Sequence, residues 1–194
     1  MIQIVKYGEV DPASLFIRGA RRADVRETVA AIIADVRENG DRALFADEER
    51  FDRAKLTSLE VTRQELDEAA ASADPEFLAV LRRAAANIRA FHGQQKRSGF
   101  LLAGENGAVV GQKLTPIERV GLCVPGGMTP LASTVLMDAI PAKLAGVPEL
   151  VLVTPAKPDG KIDPVILAAA GVAGVDRVFK LGGAQAVAAL AYGT

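Results

Sequence analysis

The stretch RVGLCVPGGMTPLASTVLMDAIPAKLAGVPELVLVTP, residues 119–155, places two short apolar runs on either side of a longer one. RVGLCVP and ELVLVTP are rich in β-branched residues and have the length of buried strands, whereas STVLMDAIPAKLAG has the length of a helix. The alternation continues with DPVILAAAGVAG as a helix, DRVFKLGG as a strand and AQAVAALAYG as the start of a third helix. This alternation predicts a parallel sheet covered by helices on both faces.

The first part of the chain, residues 1–98, has apolar residues at helical spacing and is predicted to form a helical N-terminal arm. Three of its segments carry signals of a helix start. These signals are the capping-box pairs Asp24 with Glu27 and Thr62 with Glu65, and Asp74 followed by Pro75.

Residues 99–194 begin with two short apolar runs around Asn106 and Gly107, the dipeptide favoured in a tight hairpin turn. After this predicted hairpin only three parallel strands follow, whereas an average sheet has about five or six strands. We therefore expect a β-hairpin followed by an incomplete α/β domain. Such a domain would leave one sheet edge exposed and an apolar face uncovered.

Composition and charge exclude several classes of protein. The 23 basic and 24 acidic residues are interspersed and give a formal net charge of -1, which does not favour binding to nucleic acid or to a membrane surface. The N-terminus lacks the pattern of a secretory signal, and no stretch approaches the roughly 20 apolar residues that span a bilayer. Because Cys123 is the only cysteine, no intrachain disulfide forms, and a cytoplasmic location is expected.

Two glycine pairs follow predicted strands: Gly126 with Gly127, and Gly182 with Gly183. The carboxyl ends of parallel strands meet at one sheet edge, where α/β proteins bind ligands. Gln185 follows the second pair in the first turn of a helix and can bond a carboxamide or a ribose hydroxyl. The spacing is not GxGxxG and no Walker lysine follows. A structural turn and a ligand loop are both compatible with these residues, and Gln185 could equally face solvent.

The remaining polar residues give no catalytic group. His92, the only histidine, ends a predicted helix, where the helix dipole favours it without any catalytic role. Cys123 lies inside a predicted buried strand and is interpreted as a small apolar residue. The charge run from Asp47 to Glu49 is typical of a solvated helix face. The sequence therefore indicates a ligand crevice and contains no cluster with zinc-ligand spacing.

Several stretches together resemble the histidinol dehydrogenase family: PIERVGLCVPGG, STVLMDAIPAKLAGV and ILAAAGVAGVDRVFKLGGAQAVAALAYGT, and in the N-terminal half RRADVRETVAAIIADVRENGDRAL and NIRAFHGQQ. The resemblance implies oxidation of L-histidinol through the aldehyde to L-histidine by a homodimer that uses two NAD and contains zinc. It also implies a fold with a helical N-terminal arm followed by part of a Rossmann-like, mostly parallel α/β sheet. On this view the chain is the N-terminal part of the enzyme, truncated before the catalytic glutamate and histidine and the zinc ligands. No catalytic or metal residue is therefore assigned in it.

Four residues are assigned to the NAD site by this resemblance. Gln185 falls where the family has a glutamine that contacts NAD, and Cys123 falls where it commonly has a tyrosine that does so. Gly126 and Gly127 belong to the loop of the same cofactor wall. Met128 replaces a small residue that usually follows the two glycines. The resemblance thus predicts an NAD site that lacks one aromatic contact.

Two other functions remain open. One is a dehydrogenase of another small alcohol within the same superfamily. The other is a non-catalytic domain that keeps the crevice for binding or dimer formation, as the absent tyrosine would favour. In each case the 194-residue chain alone is expected to be poorly stable and inactive.

Overall fold

The computed structural model describes residues 4–11, 25–126 and 129–194. A π-helical turn, Glu48–Asp52, directly continues the second helix. The α-helices in this part of the chain are α1 (Arg26–Asn39), α2 (Asp41–Asp47), α3 (Arg63–Ser72), α4 (Pro75–Gly93), α5 (Ala132–Leu144), α6 (Pro164–Ala173) and α7 (Gly183–Tyr192). The strands are β1 (Phe100–Ala103), β2 (Val109–Gln112), β3 (Arg119–Cys123), β4 (Glu149–Thr154) and β5 (Arg177–Lys180).

The predicted α/β alternation is confirmed from β3 to α7. The three strands are parallel in the order β3-β4-β5, so β4 is central, and Leu152 pairs with Leu122 on one side and Val178 on the other. These three side chains enter a core formed with α5, α6 and the arm helices α3 and α4. On the opposite face Val153 packs with residues of α1, α2 and α7. Helices therefore cover both faces, as the continuous apolar strands predict.

One edge of the sheet is covered by the N-terminal arm. Residues 59–61 run antiparallel to β5, with the Lys180 amide donating to the Leu59 carbonyl at 2.7 Å and the Val61 amide donating to Val178 at 2.9 Å. Arg177 adds two bonds to the Glu60 carboxylate, at 2.8 and 2.9 Å. The exposed edge expected from the sequence is thus confined to β3, beside which no strand lies in the described residues. The arm and the sheet share one core, and their division at residue 98 stays a prediction.

Two of the predicted helix starts are confirmed. Thr62 and Glu65 form a reciprocal capping box at the start of α3, and the second Glu65 oxygen accepts from the buried Lys180 ammonium at 2.5 Å. At the start of α4, Asp74 accepts from the Glu76 amide at 2.9 Å and Pro75 is the first helical residue. Asp24 lies outside the described residues, so its predicted pairing with Glu27 stays a prediction.

The β1–β2 hairpin is confirmed, but its turn is longer than the two-residue turn typical of Asn-Gly. Ala103 pairs with Val109, and the Gly104 amide donates to the Ala108 carbonyl at 2.7 Å, which encloses a three-residue loop. Gly107 has a φ of 74°, the left-handed conformation that the bulged form of this loop requires. The Asn-Gly dipeptide thus marks the turn of the hairpin, and Gly107 is the last residue of its three-residue loop.

Candidate functional site

A cleft of about 480 Å³ opens at the carboxyl ends of β3 and β4. This is the edge at which open α/β sheets bind ligands. One wall is the loop after β3, another is the segment after β4, and a third is the end of the π-helical turn. Residues lining these walls include Phe51, Arg53, Gly126, Pro130, Pro155 and Lys157.

The glycine turns after β3 and β5 both pack against Pro155. A Cβ atom built on Gly126 would clash with the Cγ atom of the Pro155 ring, and one built on Gly182 would lie 2.7 Å from the Pro155 Cβ atom. Real Cβ atoms do not approach other atoms so closely, so both positions need glycine for packing. The two turns thus converge on one residue. Gly127 and Met128 lie outside the described residues.

The cleft carries charges of both signs. Lys157 forms an ion pair with Asp163 at 2.7 Å, and Asp163 also caps α6 by accepting from the Val165 amide at 2.9 Å. Burial alone would raise the pKa of Asp163, but the bonds from Lys157 and Val165 and the Lys157 charge outweigh it and lower the pKa below 3.8. Arg53 is exposed, has no ion-pair partner among the described residues, and adopts a left-handed φ of 58°. Its guanidinium is available to an anionic ligand.

Gln185 does not face solvent, which rules out the alternative of a solvated helix-start residue. Gln185 is 2% exposed, and its side-chain Nε2 donates to Glu48 Oε1 at 3.2 Å. The same carboxylate oxygen accepts from the Gly182 amide at 3.0 Å. Gln185 therefore lies beneath the β5–α7 turn and does not line the cleft.

The prediction of a solvated charge run at residues 47–49 is wrong for two of its three members. Asp47 is 5% exposed and Glu48 is fully buried, whereas Glu49 is exposed. The helical spacing contained the missed signal, because Glu48 follows the buried Leu44 by four residues and therefore lies on the same helix face. The charge of these residues was therefore a weaker indicator of their exposure than their position on the helix.

Burial raises the pKa of Glu48 above 4.5, and the negative charges of Asp52 and Asp47 add to that effect. The bonds from Gly182 and Gln185 act in the opposite direction without cancelling it. Glu48 Oε2 and Asp47 Oδ2 are buried and have no hydrogen-bond partner in the described residues. The carboxyl of Glu48 is thus an acceptor for two donors in surroundings that disfavour its negative charge.

The raised pKa predicts a pH dependence of stability. Since the folded-state pKa of Glu48 exceeds the unfolded value, its contribution to stability is complete below about pH 4.5 and is lost as the pH rises through the folded pKa. The free energy of unfolding of the wild type, minus that of Glu48→Gln, should fall as the pH rises above 4.5, with a slope of at most about 1.4 kcal/mol per pH unit. Urea unfolding at a series of pH values measures this, and Glu49→Gln, at the exposed neighbouring position, is the matched control. A flat difference would contradict the raised pKa.

Cys123 and His92 lie apart from the cleft lining. The interpretation of Cys123 as buried is wrong: its side chain is exposed, because β3 is an edge strand and Cys123 lies on the sheet face opposite Leu122. The Nδ1 atom of His92 lies 2.7 Å from Gln95 Oε1 near the end of α4.

The described residues contain no group of three or more side chains suited to hold a metal ion. They also contain no helix long and apolar enough to cross a membrane.

Comparison with known proteins identifies relatives along nearly the whole chain. A model of the family described as histidinol dehydrogenase matches residues 18–194. The chain is 40% identical to histidinol dehydrogenase of Clostridium acetobutylicum, with coverage of 100% of this chain and 46% of that protein. It is 54% identical to histidinol dehydrogenase of Syntrophotalea carbinolica, with coverage of 88% and 40%.

A solved structure agrees with these sequence matches. The crystal structure of histidinol dehydrogenase from Elizabethkingia anophelis superposes with a TM-score of 0.85 at 36% identity, and the match covers 90% of this chain and 40% of that chain. The α/β fold predicted from the sequence is therefore confirmed. The chain spans a little under half the length of these relatives.

Proposed function

This chain belongs to the histidinol dehydrogenase family, and we propose that it forms the NAD-facing part of an enzyme that oxidises L-histidinol through L-histidinal to L-histidine. The observation that carries the proposal is the convergence of two glycine turns on Pro155 at the carboxyl edge of the sheet. That edge is where an α/β sheet binds a dinucleotide. Family membership is the basis for the proposed substrate, and the geometry of the two glycine turns supports the proposed position of the cofactor.

We assign the cofactor wall to Gly126, Gly127, Cys123 and Gln185, the positions that the resemblance implies, although Cys123 and Gln185 do not line the cleft as Gly126 does. Gly126 lines the cleft without a side chain and Cys123 is exposed, so a ligand can reach both of them. One of the two N–H groups of Gln185 Nε2 donates to Glu48, which leaves its carbonyl oxygen and its second N–H for other partners. Two NAD molecules, bound in turn, would each accept one hydride, the first from the alcohol and the second from the hydrated aldehyde, with water supplying the added oxygen. The residues of this chain bind and orient each NAD.

The zinc and the proton-transferring groups implied by the resemblance are not assigned to this sequence. His92 is its only histidine and lies at the end of α4, away from the cleft. We propose that these groups come from residues outside the 194-residue sequence, and that the enzyme is a cytoplasmic homodimer.

The proposal predicts that the chain binds NAD and that Cys123→Tyr strengthens the binding several-fold, since a tyrosine ring adds stacking area at an exposed position. Isothermal titration with NAD measures both affinities. Val110→Tyr adds the same side chain at an exposed position of the hairpin and is the matched control.

The contact of β3 with the cofactor and the binding of NAD by the chain are tested by different outcomes. Unchanged NAD affinity in Cys123→Tyr would mean that β3 does not contact the cofactor, and no NAD binding by the wild type would remove the cofactor assignment. We expect the chain alone to bind NAD without forming NADH from L-histidinol. Sustained histidinol-dependent formation of NADH would contradict the placement of the proton-transferring groups outside this sequence.

A further inference from the structure

The buried carboxyl of Glu48 joins two segments that are distant in sequence. Glu48 begins the π-helical turn that follows α2, whereas its donors, Gly182 and Gln185, belong to the turn between β5 and α7. Both bonds end on the same oxygen, Oε1. π-helical turns are rare in proteins and frequent at functional sites.

Glu48 supplies a helix cap that α7 itself lacks. The N-cap residue of α7 is Gly182, which has no side chain to accept a bond, and Gln185 occupies the third helical position. In a capping box the side chain at that third position accepts from the amide of the N-cap residue. Here the Gly182 amide donates to Glu48 instead, and Gln185 donates to the same oxygen. One atom of the arm thus takes the place of the third-position side chain as acceptor for the Gly182 amide, and it holds the Gln185 side chain as well.

The cap requires an acceptor oxygen at the position of Glu48 Oε1, and it does not require the carboxyl to be negatively charged. The charges that act on Glu48 are those of Asp47 and Asp52, both of which disfavour its ionised form, and no cation is among its interaction partners in the described residues. Oε2 has no partner. A neutral side chain with a carbonyl oxygen at the position of Oε1 would make the same two bonds.

We propose that Glu48 is a positioning residue that caps the β5–α7 turn from the N-terminal arm, holds the Gln185 amide beneath it and thereby fixes this turn of the proposed cofactor wall. The capping follows from the contacts of Glu48 alone. Its effect on the cofactor rests on the proposed function. Glu48 holds Nε2 through one of its two N–H groups, so the orientation of the whole Gln185 amide depends on this bond.

The test compares Glu48→Ala with Glu48→Gln, and uses Asp47→Ala as the matched control. Asp47 is the adjacent buried carboxyl and makes no hydrogen bond to the turn. Hydrogen exchange of the Gly182 amide is measured relative to the Leu152 amide in β4, so that any loss of global stability cancels. The dissociation constant for NAD is measured on the same samples.

Glu48→Ala should speed exchange at Gly182 roughly tenfold or more relative to Leu152, and should weaken NAD binding by about the same factor, because two buried donors lose their acceptor. Glu48→Gln should stay within about twofold of the wild type in both measurements, since it keeps the acceptor. Asp47→Ala should leave the ratio of exchange rates unchanged.

Unchanged exchange at Gly182 in Glu48→Ala would overturn the inference, and so would Glu48→Gln behaving like Glu48→Ala. Faster exchange with unaltered NAD affinity would overturn the positioning of Gln185. If the wild type binds no NAD, the proposed function fails, and the exchange measurement still decides whether Glu48 caps the turn.

Discussion

Replacing Leu152 by alanine is expected to lower the free energy of unfolding by about 3 kcal/mol. Leu152 is fully buried in the central strand β4, between Leu122 on β3 and Val178 on β5. Its side chain packs in the core that also includes α5 and α6. Because neighbours on several sides are fixed by the sheet ladder and by the helices, the cavity left by the truncation cannot collapse fully. Urea unfolding followed by circular dichroism measures the loss.

Leu101→Ala is the matched control for this prediction, because it removes the same atoms from a position on the hairpin that is 79% exposed. Its effect should stay within about 0.5 kcal/mol. A loss below about 1 kcal/mol for Leu152→Ala would mean that the sheet is not packed as tightly as its burial indicates. Since relatives are more than twice as long as this chain, the comparison also tests whether these 194 residues hold a rigid core by themselves.

The sequence predicts the elements whose signals are local. Thr62 with Glu65 and Asp74 with Pro75 mark helix starts because each cap is completed within a few residues, and the apolar runs around Leu122 and Leu152 mark strands. Residues 59–61 lack such a signal, since their pairing with β5 depends on a partner more than a hundred residues away. The covered edge of β5 is therefore a tertiary feature that periodicity does not contain.

The candidate site is predictable to a similar degree. Glycine pairs after strands indicated the edge of the sheet at which the cleft lies, and the resemblance indicated the correct family. The burial of Glu48 and the exposure of Cys123 were missed, because each depends on what packs over the position. Glu48 lies under the β5–α7 turn, and Cys123 lies on an edge strand. Residue type alone predicts the opposite in both cases.

The glycine at position 126 can be assigned to packing or to ligand approach by a double substitution. Gly126→Ala is expected to lower the free energy of unfolding by about 2 to 3 kcal/mol, because its Cβ atom would overlap the Cγ atom of the Pro155 ring. Pro155→Ala removes Cγ and leaves Cβ at an acceptable 3.4 Å. If packing alone requires the glycine, Gly126→Ala should cost at most half as much unfolding free energy in the Pro155→Ala background as in the wild type. A double-mutant cycle measured by thermal or urea unfolding tests this.

Gly171→Ala is the control for the substitution itself, because a Cβ atom at this position in α6 meets nothing within 4 Å, and alanine there should stabilise the protein by up to about 1 kcal/mol. NAD affinity of the double variant then separates the two roles of Gly126. Recovered stability with recovered affinity would assign the glycine to packing against Pro155. Recovered stability with affinity still reduced tenfold or more would mean that the added methyl group meets the cofactor, because in that variant the clash with the ring is gone. No recovery of stability would contradict the close packing of the β3 loop on Pro155, and with it the convergence of the two glycine turns on which the proposed cofactor site depends.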